Sequence, residues 1–449
     1  MLVEAWLARA AAARPRLVAL ETPSGSWTYG ELEHAALAGA AQLRELGAGP
    51  GVPVAIALPP GLEFARALHA CLLLGAVAVP VDMRLPEGAR AKVSAAAEVL
   101  VEEPLSAGAR ARGASARIRE THDLDAAAVV IHTSGTSAEP KAVTLTYGNL
   151  LWSALGSAAA LGAPREERWL CALPLAHVGG LSILIRSAIY ATTAIVHERF
   201  EAERVASALT AGEVTIVSVV ATTLARLLDA GLRRPPALRC ALTGGGPVPA
   251  QLLDRAYAAG VPVSITYGLT EAASQVTTTP LALVDLRSVA AGRATPGPPL
   301  FCSRVRIAGD GEILVGGPTV APGALAGDGW LHTEDVGELD GHGRLLVTGR
   351  RSEVIISGGQ NVSPAKVEAA IEAHPAVGEA AVIARADPEW GEAVSAIVVW
   401  REGSEADVDG VLALCARVLA PYEVPKSVST RAEPLPRTAS GKLVRRELM

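Results

Sequence analysis

The sequence predicts an α/β fold: a large N-terminal domain of mostly parallel, helix-covered sheets with an antiparallel β subdomain, and a small mobile α+β C-terminal domain. Between residues 52 and 267, short apolar runs alternate with helical segments, which is typical of parallel strands buried on both faces. From about residue 286 the apolar runs become shorter, alternate with polar residues and lie between Gly-rich turns, which favours antiparallel strands. At 449 residues the chain is also too long for one ordinary core.

The N-terminal part is predicted from strands and helices that follow one another along the chain. The predicted strands are residues 52–58, 77–81, 127–131, 142–146, 169–173, 193–196, 215–220, 240–243 and 263–267, and the predicted helices are 63–74, 149–161 and 180–190. The Ala-rich start with Arg9, Arg14 and Arg16 predicts an amphipathic first helix rather than a signal peptide. Ligands in such folds lie beyond the carboxyl ends of the strands, so polar turns that follow strands are the candidate site.

The remaining segments define the predicted domain boundaries. Alternating runs at residues 304–307, 312–315 and 344–347 predict the antiparallel subdomain. Ser363 and Pro364 begin a helix with proline in its first turn, and strands at 380–383 and 395–399 and a helix at 407–419 complete the last module. We therefore predict an N-terminal domain at 1–349, a hinge at 350–352 and a C-terminal domain at 353–449.

Composition excludes several classes of partner and compartment. The formal net charge is -6 and 19% of the residues are charged, so the chain has no bulk attraction to nucleic acid or to an anionic membrane. The five cysteines are scattered without CxxC spacing, which argues against a disulfide framework and a zinc site. The longest apolar tract, Leu170 to Ile185, contains Pro174 and His177 and falls short of a membrane span. We expect a cytoplasmic protein.

The most informative loop lies between two predicted strands, at residues 131–141. Its candidate phosphate-binding residues are Thr133, Ser134, Gly135, Thr136 and Lys141. Hydroxyls, backbone N–H groups freed by a glycine and an ammonium group are the partners that a triphosphate requires. The loop lacks the Walker pattern, because no glycine precedes Lys141 and alanine follows it. Such a cluster is also typical of an ordinary turn, so the loop alone leaves both interpretations open.

Four further clusters follow, each with an ordinary structural explanation of its own. They are Gly244-Gly245-Gly246, Tyr267-Gly268-Leu269-Thr270-Glu271, Thr333-Glu334-Asp335 with Arg350, and Leu435 to Lys442. Glycines permit a flat ligand to approach the backbone, but they also form tight turns. An aromatic ring with a carboxylate could hold a metal–phosphate, and a second carboxylate could accept hydrogen bonds from ribose. A helix start, a surface ion pair and a solvated lysine are the alternatives.

Taken together and in this order, the five clusters resemble the adenylate-forming superfamily of acyl-CoA synthetases, nonribosomal-peptide adenylation domains and luciferases. The resemblance covers essentially the whole chain. By this resemblance Thr133 to Lys141 is the phosphate loop, Gly244 to Gly246 the adenine side, Tyr267 to Glu271 the aromatic-plus-acid motif, Asp335 the ribose ligand, Arg350 the hinge arginine and Lys442 the catalytic lysine.

The resemblance implies two half-reactions. A carboxylate attacks the α-phosphate of Mg-ATP to give an acyl-adenylate and pyrophosphate, and the thiol of coenzyme A then displaces AMP. Lys442, Glu271 and Thr270 are the implied catalytic residues, with Glu271 helping to hold Mg²⁺ through the phosphates. The C-terminal module is expected to rotate between the two steps, and Gly358 and Gly359 to line the tunnel for the pantetheine arm.

Within the superfamily, Leu173 to Arg186 and Thr144 to Asn149 are most similar to the o-succinylbenzoate–CoA ligases of menaquinone biosynthesis. The implied acyl-pocket residues are His177, Arg186, Ser218, Ser274 and Gln275. A cation in the apolar helix around Arg186 must reach solvent, pair with a carboxylate, or bind a carboxylate of the substrate. For His177 the alternative is a satisfied core imidazole. A homodimer is an expectation at the level of the superfamily only.

Other functions stay open at this point. Another aryl- or acyl-CoA ligase, an adenylation domain that loads a carrier protein, and a non-catalytic nucleotide-binding protein share most of these motifs. The sequence also departs from the superfamily at two positions: Ala138 stands where the phosphate loop commonly has glycine, and Ser352 where the hinge usually has Asp or Lys. We expect these departures to affect rates rather than the reaction class.

Overall fold

The computed structural model describes residues 1–105, 120–133, 141–283, 295–357, 360–388, 390–437 and 443–448. Its strands are β1 (Leu2–Glu4), β2 (Val18–Thr22), β3 (Gly25–Thr28), β4 (Pro53–Ile56), β5 (Val77–Pro80), β6 (Val99–Val101), β7 (Thr121–Asp123), β8 (Ala127–Thr133), β9 (Lys141–Thr146), β10 (Arg168–Cys171), β11 (Thr193–Val196), β12 (Ile216–Val219), β13 (Cys240–Thr243), β14 (Val263–Leu269), β15 (Ser274–Thr278), β16 (Arg304–Ile307), β17 (Glu312–Gly316), β18 (Leu331–Leu339), β19 (Leu345–Arg350), β20 (Ile355–Ser357), β21 (Gln360–Val362), β22 (Val377–Asp387), β23 (Gly391–Trp400) and β24 (Ser427–Arg431). The helices are α1 (Trp6–Ala13), α2 (Tyr29–Glu45), α3 (Leu62–Leu74), α4 (Glu87–Ser94), α5 (Tyr147–Leu161), α6 (Val178–Tyr190), α7 (Ala202–Thr210), α8 (Ala221–Asp229), α9 (Ala250–Ala258), α10 (Pro364–Glu372) and α11 (Val408–Val418).

Two mostly parallel sheets form the N-terminal part of the fold. The larger has eight strands in the order β15-β14-β13-β12-β10-β11-β2-β3, with only the two edge strands antiparallel to their neighbours. The smaller has the order β6-β4-β5-β8-β9, with β9 antiparallel at its edge. Helices α3 and α6 lie in the core between them because they are apolar on nearly all sides. The predicted parallel α/β architecture is confirmed.

An antiparallel sheet and an α+β module follow. Strands β16-β17-β18-β19 pair in sequence order, and the last module pairs β21-β20-β23-β22, with β24 parallel to β23. Asn149 ties the antiparallel sheet to the rest, since its buried side chain donates to the carbonyls of Pro318 and Val320 at 2.9 and 3.0 Å. The two sheets meet at the predicted hinge, where a short 3-10 turn, Arg351–Glu353, separates β19 from β20.

Several elements differ from the sequence prediction in ways that concern the site. The predicted strands ending at 131 and 267 continue to Thr133 and Leu269, so the polar residues there belong to strand ladders. The Thr333–Asp335 cluster lies within β18 rather than in a turn. Hydrophobic alternation does not mark these ends because the added residues include His132, Thr133 and Gly268, which interrupt the apolar runs. The predicted first helix is present as α1.

Candidate active site

The predicted phosphate loop joins the paired ends of β8 and β9. Thr133 lies opposite Lys141 in the ladder, and its hydroxyl donates to the Lys141 carbonyl at 3.3 Å. The pairing holds both ends of the loop in place. Residues 134–140, which include the predicted Ser134, Gly135 and Thr136 as well as Ala138, lie outside the described residues.

Lys141 extends from its strand toward Glu271. The ammonium nitrogen is 3.9 Å from Glu271 Oε1, and the two side chains are 66% and 18% exposed. Glu271 belongs to the 3-10 turn Thr270–Ala272, and its carbonyl accepts a hydrogen bond from the backbone N–H of Ala321 at 2.7 Å. Two residues predicted from distant motifs therefore face each other, with Thr270 beside them.

The backbone around this turn is unusually constrained. Ala273 and Ser274 both have positive φ angles, of 53° and 100°, which cost energy in residues with a β-carbon. The strand ladder is irregular between Tyr267 and Gly268. A β-carbon at Gly268 would overlap the Ser274 carbonyl oxygen, so only glycine fits there. Such angles persist only where the surrounding structure compensates for their cost, and strain of this kind is often found at functional sites.

The three predicted adenine-side glycines have three different reasons to be glycine. A β-carbon at Gly244 would lie 2.7 Å from Thr266 Cγ2, which is too close. Gly245 has a φ of 83°, and Gly246 has no other group within 4 Å of a β-carbon position. Only the third glycine is free of a structural requirement. The loop follows β13 at the carboxyl edge of the large sheet, as predicted from its position after a strand.

Tyr267, Asp335 and Arg350 form one hydrogen-bonded group. The Tyr267 hydroxyl donates to Asp335 Oδ2 at 2.8 Å, and Arg350 Nε donates to Asp335 Oδ1 at 3.1 Å. Burial, together with the negative Asp335, raises the pKa of the Tyr267 hydroxyl. Burial opposes the charge of Arg350, but the Asp335 carboxylate outweighs it and raises the pKa of the guanidinium. The carboxylate predicted for ribose is thus fixed from both sides.

Arg186 lies inside the protein without a carboxylate. Its side chain is 2% exposed, which excludes the predicted alternative of reaching solvent. One guanidinium nitrogen donates to Ser153 Oγ at 3.0 Å, the Nε has no hydrogen-bond partner, and the group lies 5.6 Å from the Trp169 ring centroid. Within the part of the chain that the structure describes, no carboxylate pairs with it. Burial lowers the pKa of this guanidinium.

Other predicted pocket residues share this neighbourhood. Trp169 Nε1 donates to Ser218 Oγ at 2.9 Å, and the Ser153 hydroxyl donates to the carbonyl of Ala273, which precedes Ser274. Gln275 is buried; its amide donates to Thr278 Oγ1 at 2.7 Å, while its Oε1 accepts no hydrogen bond. Ser153 therefore links the buried cation to the turn that carries Glu271.

His177 is the N-cap residue of α6 and contacts two charged residues in the turn that follows β5. Its Nε2 lies 3.3 Å from Asp82 Oδ2 and 3.1 Å from a guanidinium nitrogen of Arg84. Burial would raise the pKa of the Asp82 carboxyl, but hydrogen bonds from Arg84 and His177 outweigh it and hold that pKa well below its usual range. The imidazole is 31% exposed, so it is not the satisfied core imidazole of the alternative interpretation.

Three further predicted residues lie, like Ser134, Gly135 and Thr136, outside the part of the chain that the structure describes. They are Lys442, Gly358 and Gly359. Among the residues that are described, no three His, Cys, Asp or Glu side chains form a metal cluster, and no helix is long and apolar enough to cross a membrane. The five cysteines are free and buried.

Sequence reasoning missed the residues that orient the predicted ones. Asp82 and Arg84 contact His177, and Ser153 and Trp169 contact Arg186. None carries a local signal, since each lies in a different element from the residue that it contacts. Only the run Pro80-Val81-Asp82, with an acid directly after a buried strand, could have suggested one of them.

Comparison with known proteins agrees with this arrangement. The family model for the AMP-binding enzyme matches residues 7–102 and 97–325, and that for the AMP-binding enzyme C-terminal domain matches residues 366–442. A 2-succinylbenzoate–CoA ligase from Bacillus cereus strain Q1 is 37% identical over 99% of this chain and 97% of its own length.

Two solved structures of the o-succinylbenzoate CoA synthetase from Bacillus subtilis are also similar. The complex with the acyl-adenylate intermediate OSB-AMP has a TM-score of 0.88, at 34% identity over 100% of this chain and 98% of its own. A double mutant bound to its product analogue OSB-NCoA has a TM-score of 0.73, at 35% identity and the same coverage.

Proposed function

Because the chain belongs to the AMP-binding enzyme family, we propose that it is an ATP-dependent carboxylate–CoA ligase that converts o-succinylbenzoate to its CoA thioester. The first half-reaction brings a carboxylate to the α-phosphate of ATP and releases pyrophosphate from an acyl-adenylate. The second transfers the acyl group to the CoA thiol and releases AMP. Family membership supports the reaction class, and the surroundings of Arg186 support the choice of acid.

In this proposal the first half-reaction depends on neutralising two anions that must meet. Lys141 and the loop hydroxyls bind the outer phosphates, and Asp335, fixed by Tyr267 and Arg350, accepts hydrogen bonds from the ribose. Magnesium, when bound with the nucleotide, would lower the negative charge of the phosphates. Glu271 fits that role, because Mg²⁺ commonly uses one protein carboxylate together with phosphate oxygens.

We assign to Lys442 the contact with the α-phosphate and the substrate carboxylate. One such contact in the transition state typically contributes about 10²–10³ in rate. The better overlap with the adenylate complex than with the product-analogue complex supports an adenylate-forming arrangement in this structure. Rotation at residues 350–352 would then remove Lys442 and open a path for the thiol along Gly358 and Gly359, with His177 beside it.

One observation carries the choice of acid: the buried Arg186 has no carboxylate partner among the described residues. An uncompensated buried charge costs several kcal/mol, so a pocket retains one only where something binds to it. o-Succinylbenzoate has two carboxylates and only the succinyl one is activated, which leaves the ring carboxylate for Arg186. Ser218, Ser274 and Gln275 would supply neutral hydrogen-bonding neighbours.

The proposal is tested with a panel of acids. We expect ATP–pyrophosphate exchange and CoA thioester formation to be faster with o-succinylbenzoate than with benzoate or a fatty acid. Exchange with none of the acids would refute the enzymatic assignment. A different preferred acid would refute the substrate but leave the reaction class, and exchange without transfer to CoA would favour a carrier protein as acceptor.

Two finer expectations belong to the same proposal. The substrates are small molecules, and we infer that the enzyme works in the cytoplasm, where ATP and CoA are available. A homodimer stays a prediction, which sedimentation or light scattering would test.

A further inference from the structure

The residues on the two sides of 438–442 pair with each other. Arg437 and Leu443 form an antiparallel bridge, and the backbone N–H of Val444 donates to the carbonyl of Pro436 at 2.8 Å. Both ends of this short stretch are therefore held at one place on the last module.

Arg445 anchors this paired segment to three other elements. Its guanidinium lies 2.6 Å from Glu353 Oε2, and 2.7 and 2.8 Å from the two oxygens of Glu368 in α10. Its Nε donates to the Val382 carbonyl in β22 at 3.2 Å. The Arg445 side chain is 18% exposed and Glu368 is 13% exposed, so these are partly desolvated ion pairs with fixed geometry.

Glu353 gives this network a particular position in the fold. It is the residue directly after Ser352, the predicted pivot, and belongs to the same short turn. On the other side of Ser352, Arg350 binds Asp335 and Arg351 binds Asp310 and Glu312, all in the antiparallel sheet region. The chain is thus bound to one module before the pivot and to the other directly after it.

We propose that Arg445 is a positioning residue for the first half-reaction, because it holds residues 443–448, which directly follow Lys442 in the sequence, to the residue beside the pivot. The inference rests on the proposed function, which assigns Lys442 to adenylate formation. Arg445 follows Lys442 by only three residues in the sequence, and the proposed function requires that lysine at the reacting atoms. A displacement of about 1 Å from the reacting atoms can cost roughly 100-fold in rate.

The Glu353 contact separates this role from simple stabilisation of the module. Glu368 is 13% exposed and would keep only the Val382 backbone N–H as a donor if Arg445 were removed, so Arg445→Gln also threatens folding. Glu353 is 34% exposed, and its loss leaves the pair between Arg445 and Glu368 intact. Glu353→Gln therefore releases the pivot from the anchor with little effect on the module itself.

The experiment measures each half-reaction separately in the full-length enzyme with o-succinylbenzoate. Adenylate formation is followed in single turnover, and thioester formation is followed from supplied acyl-adenylate and CoA. We expect Glu353→Gln to lower the first rate by about 10-fold and Arg445→Gln by about 100-fold, with KM values for ATP and acid within about twofold. The second rate should change by less than about threefold in Glu353→Gln.

Two further variants complete the test. Arg446→Gln removes the same charge from the next, exposed residue and should leave both rates unchanged. Arg445→Lys should recover only part of the first rate, because an ammonium cannot span two carboxylates and a carbonyl as a guanidinium does. Equal losses in both half-reactions, or no loss in Glu353→Gln, would overturn the proposal. Absence of adenylate formation in the unmodified enzyme would instead refute the proposed function, and the inference with it.

Discussion

Replacing Arg186 by methionine should weaken recognition of a diacid without weakening the fold. Methionine has a similar length and no charge, so it fills the same space. The change removes one charged hydrogen bond to Ser153, worth about 1.5–3 kcal/mol, and a contact with Trp169 near the outer distance limit for a cation–π interaction, worth about 1 kcal/mol. It also removes the cost of burying an unpaired cation, which is several kcal/mol.

These contributions nearly cancel in the absence of substrate. We expect the free energy of unfolding to fall by no more than about 1 kcal/mol, whereas breaking a buried ion pair typically costs about 3–5 kcal/mol. The Ser153 hydroxyl keeps its bond to the Ala273 carbonyl, so no new polar group is left unsatisfied. Denaturant unfolding of the wild type and of Arg186→Met under the same conditions measures this difference in the free energy of unfolding.

The effect on substrate recognition should be large and specific. Losing one partner of a desolvated charge pair costs about 2–5 kcal/mol, or roughly 30- to 4,000-fold in kcat/KM. The matched control acid is 4-oxo-4-phenylbutanoate, which has the reacting carboxylate but lacks the ring carboxylate. The wild type should prefer o-succinylbenzoate by this factor, and Arg186→Met should use both acids about equally. A variant that loses stability by several kcal/mol but keeps the preference would refute the reasoning.

Three other changes test separate parts of the structure. Gly268→Ala should lower the free energy of unfolding by about 3 kcal/mol or more in thermal unfolding, because its β-carbon meets the Ser274 carbonyl. Gly246→Ala lies in open space, so its effect should range from neutral to about 1 kcal/mol stabilising. Similar losses in the two variants would contradict the assigned geometry. Burial and the neighbouring carboxylate of Glu368 raise the pKa of Glu372 from 4.5 to about 7. The folded state therefore keeps this proton to a higher pH than the unfolded chain does, and wild-type stability should fall as the pH rises from 4.5 to 7. Glu372→Gln should therefore gain up to roughly 3 kcal/mol over the wild type at pH 8 and nothing at pH 4, and a pH-independent difference would exclude this cause. Lys442→Ala should lower adenylate formation by about 10²–10³ while thioester formation from supplied acyl-adenylate stays nearly constant, and an equal loss in both would contradict the rotating-module scheme.

The order of the polar clusters along the chain was enough to predict the fold and the family. Apolar runs mark buried strands wherever they lie, because burial of a continuous strand requires apolar residues on both faces. The strands β11, β13 and β16 have the predicted ends. The ends of β8 and β14 were predicted too short, because His132, Thr133 and Gly268 interrupt the apolar runs before the strands end.

The partners of each site residue were decided by tertiary structure. The sequence predicts that a tyrosine, an aspartate and an arginine belong to a nucleotide site, but it does not predict that they bind one another. Likewise it left three alternatives for Arg186, and its burial and the lack of a carboxylate beside it among the described residues argue against two of them. Periodicity records which way a residue faces within its own element, whereas hydrogen bonds and ion pairs join elements far apart in sequence, and folding alone brings those together.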